Sequence, residues 1–121
     1  RLDAALDCAD RARVRVLGTP DPDPARHTLV TPLLYDNERQ ATLVLARIHR
    51  GARHQIRAHL WSAGHALVGD GVYGGAGEGG VLYLHHYRIV LRSLDFAARA
   101  WPGWPEWETW AGEVAPGVLE G

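Results

Sequence analysis

The chain has 121 residues, 46% of them apolar and 22% charged, with a formal net charge of −1. That length suits a single unit spanning residues 1–121, with one core that buries roughly 65% of the unfolded surface; the apolar content excludes a disordered tail, and no run approaches the roughly 18 apolar residues of a membrane span. Cys8 is the only cysteine, which excludes an intrachain disulfide framework and a Cys-based metal cage; with no secretory signal at its start, the chain is expected in a reducing, cytoplasmic setting.

Residues 2–6 and 12–16 read as short strands, the second from its alternation. Gly18–Ala25 holds three prolines and reads as a loop, with Asp21 and Asp23 as solvated acids. Thr28–Leu34 and Ala41–His49 read as two strands joined by a hairpin connection at Asp36–Arg39. The apolar run at 42–48 is nearly unbroken, as expected of a central strand covered on both faces. The period then changes: Ile56, Leu60 and Ala63 fall on one face of a helix, and Gly64 is placed to end it in the left-handed conformation. Residues 69–75 form a tight turn region, 76–80 a glycine-rich mobile stretch, and Val81–Leu91 a further strand. Trp101, Trp104, Trp107 and Trp110 lie three apart with prolines interleaved. That period fits an extended edge laid over the core, or an exposed stacking surface for bases. The fold class is α+β: a mixed, mostly antiparallel sheet with one principal helix.

All thirteen basic residues are arginine. Residues 1–38 carry seven acids and five Arg, and residues 70–121 seven acids and three Arg; residues 39–69 carry five Arg, four His and no acid. A basic block between acidic flanks marks either an anion-facing surface or a solvated face. Within it, Arg50, Arg53 and Arg57 can present guanidinium forks to phosphate or carboxylate. No Gly-x-Ser-x-Gly elbow, phosphate-binding loop or dinucleotide fingerprint is present. His54 and His59 are five apart, which turns them about 140° from each other on a helix, so no metal site is expected.

Three blocks carry a resemblance. Gly51-Ala-Arg-His-Gln-Ile-Arg-Ala-His-Leu60, then Gly64-His-Ala-Leu-Val-Gly-Asp-Gly-Val-Tyr-Gly74, then Leu84-His85 leading into a strand, together resemble the RluA-type RNA pseudouridine synthases in order and spacing. The closing segment Thr109–Pro116 is similar to that family's last strand. Ala52, Ala66 and His86 depart from the family pattern. So does the opening Arg1-Leu-Asp3: no Thr-Ser-Gly follows it, and it matches a later family strand better than the nucleophile-bearing block. The resemblance therefore implies the C-terminal portion of a pseudouridine synthase catalytic domain, with the nucleophile-bearing N-terminal half outside these residues.

In that family an aspartate attacks a flipped-out uridine, the glycosidic bond breaks, and the base rejoins through carbon, with no cofactor or metal. The resemblance implies Arg57 as the catalytic arginine that pairs with that aspartate, and RNA, with ribosomal RNA the expected class, as partner. Arg50, Arg53 and His54 are the candidates for contact with the RNA backbone. Gln55 has two roles open to it, reading a base edge or bracing the helix entry. Tyr73 can pack the helix against the sheet or stack on RNA. Leu84 and His85 can line the pocket, Leu84 equally as plain core. His59 and His65 read as structural. Arg57 is expected to stand near an exposed cleft without a carboxylate partner; if it points away from the cleft, or is locked in an ion pair with Asp70 or Asp95, its assignment to the active site is wrong. The alternative function is a non-catalytic RNA-binding module.

Overall fold

The computed structural model describes residues 1–74, 81–91 and 96–119. In chain order the elements are β1 (Ala4–Asp7), β2 (Arg15–Pro20), a 3-10 turn (Pro24–Arg26), β3 (Leu29–Asp36), β4 (Ala41–Arg47), α1 (Gln55–Ser62), β5 (Arg88–Leu91), β6 (Phe96–Arg99) and α2 (Trp107–Glu113). Strands pair consecutively and antiparallel, β1 with β2, β3 with β4 and β5 with β6. Among the described residues the α+β class holds, with three two-stranded ladders and a second helix in addition to the expected one. The chain falls into two compact units, Arg1–Leu82 and Tyr83–Gly121.

In the first unit, Leu2 and Thr28 form an isolated bridge, with N–H···O distances of 2.8 and 2.9 Å, that ties the first ladder to the second. β2 runs on to Pro20, so the proline-rich loop begins later than its composition implies; proline is tolerated at a strand's edge or end. Asp21 and Asp23 are not merely solvated: they accept from the amides of Asp23 and Ala25, each at 2.9 Å. β3 and β4 are joined through a turn in which Gln40 takes φ 51°. Their register shifts between Pro32 and Leu34, as expected where a residue without an N–H interrupts a ladder.

β4 is not the central strand its composition implied. Among the described residues it pairs only with β3, and of its side chains only Leu45 is buried. An unbroken apolar run says how much surface must be covered, but not by what. The core of this unit is instead Val14, Ala58 and Tyr73, with Leu6, Cys8 and Val16 packed against it.

α1 ends as its sequence predicts. Gly64 takes φ 85°, its amide donates to Trp61 O at 2.9 Å, and the His65 amide donates to Leu60 O at 2.8 Å. These are the paired bonds of a Schellman cap.

The second unit departs further from expectation. The strand read over 81–91 is confined to 88–91. The extended tryptophan edge is half helix, since Trp107 and Trp110 lie in α2. A three-residue spacing fits one turn of helix as well as an extended chain, and Pro105 just ahead is a helix-start residue. The rings stack on one another, Tyr83 on Trp104 at 5.5 Å and Tyr87 on Trp101 at 5.8 Å, around buried Pro102, Trp110 and Val114. The glycine-rich stretch at 76–80 lies outside the described residues. Among the described residues no helix is long and apolar enough to cross a membrane.

Candidate functional site

α1 is fixed in place by a buried polar chain. The Gln55 amide nitrogen donates to Arg26 O at 3.0 Å and to Thr28 Oγ1 at 3.1 Å, while its oxygen accepts from the Ala52 amide at 3.0 Å. Thr28 Oγ1 meets His59 Nδ1 at 2.7 Å, and His59 Nε2 donates to the Ala4 carbonyl at 2.8 Å. Gln55, Thr28 and His59 are all at most 2% exposed. Buried polar groups are tolerated only when bonded in this way, and the result ties the helix to β1 and to the start of β3.

Arg57 lies two residues from both Gln55 and His59, on the other side of the helix. Its Nε donates to Asp70 Oδ2 at 2.9 Å and its Nη2 to Asp70 Oδ1 at 2.7 Å, a two-pronged pair. Asp70 is fully buried and also accepts from the amides of Val72 and Tyr73, at 3.1 and 3.2 Å. Gly69 makes that turn possible: it takes φ 77°, and a Cβ there would fall on the carbonyl of Val81. The Arg57 hydrogen bonds hold the Asp70 carboxyl below the usual carboxylate range, assisted by the two amides against the opposing effect of burial. The same bonds raise Arg57. Tyr73, 1% exposed, receives the Val14 amide on its hydroxyl at 2.8 Å and sits 3.0 Å from His54 Nδ1. His54 itself is a non-glycine residue in the left-handed region, φ 54° and ψ 22°, at the helix entry. Burial, then the charge of Arg57, push its imidazole downward; Asp70 pulls the other way, and Arg53 adds to the lowering.

Arg57, Arg53, His54 and Tyr73 therefore share one region of the first unit. One expectation needs correcting. Arg57 is not held without a partner: Asp70 engages it, which removes the ground that it stands unpaired for a carboxylate from elsewhere. The expectation rested on the absence of acids from residues 39–69, and the acid is Asp70, the first residue beyond that block. Of the two roles open to Gln55, its contacts match bracing: both ends of its amide are used inside the protein. Of the two roles open to Tyr73, its burial matches packing. Arg53 is exposed and donates to the Cys8 carbonyl at 3.2 Å. Arg50 lies in the exposed loop ahead of α1, its guanidinium 3.5 Å from Asp23, a surface pair worth little. Leu84 and His85 belong to the second unit, where Leu84 is 39% exposed and His85 donates to the Ala100 carbonyl at 2.7 Å. Asp70 was missed as a site residue. Its flanking glycines and its place in the second sequence block were the available signal.

Comparison with known proteins returns RNA pseudouridine synthases. The chain is 36% identical over 74 residues to ribosomal large subunit pseudouridine synthase D of Zymomonas mobilis, covering 61% of this chain and 20% of that protein. It is 38% identical over 78 residues to an RNA pseudouridine synthase of Helicobacter pylori, covering 64% and 25%. Over 62 residues it is 40% identical to RNA pseudouridine synthase 5 of Arabidopsis thaliana, covering 51% and 16%. The chain thus spans between about a sixth and a quarter of the length of these relatives. No family model and no solved structure matches it. By sequence the chain is similar to RNA pseudouridine synthases, the family its three blocks resemble.

Proposed function

We propose that these 121 residues form the C-terminal portion of the catalytic domain of an RNA pseudouridine synthase, acting on structured RNA of the ribosomal class. The observation that carries this reading is the similarity of about 60% of the chain to RNA pseudouridine synthases; Arg57 of the first block is held by Asp70 of the second. In this reading the nucleophilic aspartate lies outside these residues, because Arg1-Leu-Asp3 lacks the sequence that should follow it. Uridine and pseudouridine are isomers: the bond from the sugar to N1 breaks, one to C5 forms, C5 releases its hydrogen as a proton to solvent, and N1 takes up a proton in its place. Arg57 acts here in an altered role. Asp70 takes the Nε edge of the guanidinium and fixes its plane, while Nη1 has no hydrogen-bond partner among the described residues. That free edge is where a second carboxylate, the nucleophile's, can be kept ionised and aimed. Arg50, Arg53 and His54 supply backbone contacts to the RNA.

Tritium release from RNA labelled at uridine C5 tests this. The 121-residue chain alone should release none, and the whole protein should release it. Arg57→Ala in the whole protein should slow release about a hundredfold or more, on the scale of losing a preorganised charged donor. Arg57→Lys should restore only part, because a lysine cannot serve two carboxylates as a fork. A whole protein that binds RNA and releases no tritium would instead be a non-catalytic binding module.

A further inference from the structure

The outward side of α1 carries a surface that the three blocks do not account for. Trp61 follows Arg57 by four positions and so shares its helical face; its indole is 40% exposed. Arg13, from the connection between β1 and β2, places its guanidinium carbon 4.7 Å from the Trp61 ring centre and 4.6 Å from that of Tyr73. Its Nη1 donates to the Val72 carbonyl. Arg53 reaches the same connection through the Cys8 carbonyl. The acids of that connection are engaged locally: Asp7 accepts from the Ala9 amide and Asp10 from the Ala12 amide. Asp70 is buried and engaged by Arg57. The surface therefore offers a part-exposed indole beside two arginines that form no ion pair with Asp7, Asp10 or Asp70 among the described residues.

From this geometry we infer that Trp61, backed by Arg13, is a stacking platform for an unpaired base of RNA, with Arg13 and Arg53 taking the adjoining phosphates. The inference rests on the reading that the chain binds RNA, and it adds two residues that reading did not assign. Every base has a π face, so an exposed indole beside guanidinium groups binds single strands with little sequence preference. A guanidinium against one part of the ring also stiffens the indole, which lowers the entropy lost on stacking.

The test compares, by fluorescence anisotropy on the whole protein, a labelled oligouridine of about a dozen nucleotides, within the range of known single-strand sites, with an abasic strand of equal length. The unmodified protein should prefer the base-bearing strand by about fivefold or more, the scale of one stacked base. Trp61→Ala should abolish that preference and leave affinity for the abasic strand unchanged. Trp61→Phe, which keeps an aromatic ring and guards against a folding defect, should retain most of it. Arg13→Gln should flatten the logarithmic salt dependence by about 0.7, one phosphate contact. A base preference equal in the original protein and in Trp61→Ala overturns the platform and leaves the proposed function standing. Absence of RNA binding at low salt overturns both. Loss of self-association in Trp61→Ala, with RNA affinity unchanged, would assign the face to a second copy of the chain instead.

Discussion

Between Arg1 and Leu82 the buried contacts that position side chains are largely polar: Gln55 to Thr28 to His59 on one side of α1, Arg57 to Asp70 on another. Between Tyr83 and Gly121 they are aromatic, with Trp104 alone touching Tyr83, His85, Trp107 and Trp110. Hydrogen bonds are directional and fix an atom's place to within a few tenths of an ångström. Stacked rings mainly exclude water and admit several offsets and tilts. The interplanar angles in the second unit, from 9° to 78°, show that latitude. The first unit is built to hold charged groups at set positions, the second to bury area.

Asp70→Asn attacks that contrast most directly. It leaves Arg57 charged and faces it with an amide, and should cost about 3 kcal/mol in urea unfolding, at the lower end for a broken buried pair. A loss below about 1 kcal/mol would reduce the pair to the surface kind. Acid sharpens the same point. Because Asp70 is held below its ordinary value of 3.8 when folded, its contribution is present above that value and drains away as pH falls through the folded one. The acid limb of a circular-dichroism titration should therefore be shallower in Asp70→Asn.

Next in size is His59→Leu, which strands the Ala4 carbonyl and the Thr28 hydroxyl and should cost about 2 kcal/mol by the same unfolding measurement. Trp104→Phe probes the other side of the comparison and should cost about 1 kcal/mol, because the neighbouring rings can re-pack. If it costs more than His59→Leu, the aromatic unit is as exacting as the polar one. Smallest is the effect of His54. Its imidazole is held below the usual 6.5, so the unfolded chain takes up the proton first and stability declines as pH falls below that value. His54→Asn, which suits the left-handed backbone, should remove that slope in thermal melts between pH 7 and about 5, the range where histidine titrates.

Much of the first unit was legible in the sequence, for physical reasons. The β3–β4 hairpin follows from two β-rich runs with a turn between them, and Gly64 from the end of an apolar helical period. The bracing role of Gln55 was among the readings open to it. What stayed hidden depends on contacts across long stretches of chain. A pair between Arg57 and Asp70, or an arginine at position 13 over a ring at position 61, has no local signature. Period alone also misled twice. The run at 42–48 could not reveal that a face would lack cover, and tryptophans three apart could not distinguish α2 from an extended edge. At the candidate site the three blocks brought Arg53, His54, Arg57 and Tyr73 to notice, whereas Arg13, Trp61 and the partnership of Asp70 required coordinates.

The bond from His59 to the Ala4 carbonyl spans 55 residues, and this has a consequence for how the protein comes to be folded. An eight-residue helix such as α1 does not persist alone in water. Its ordering must wait until the amino-terminal ladder is in place to receive His59, and that closure carries the entropic delay of a long loop. The helix face with Arg57 and Trp61 should thus be among the last features to form and the first to be lost when the amino-terminal strand frays. On a refolding time course, protection of the α1 amides should lag behind that of the local β3–β4 hairpin.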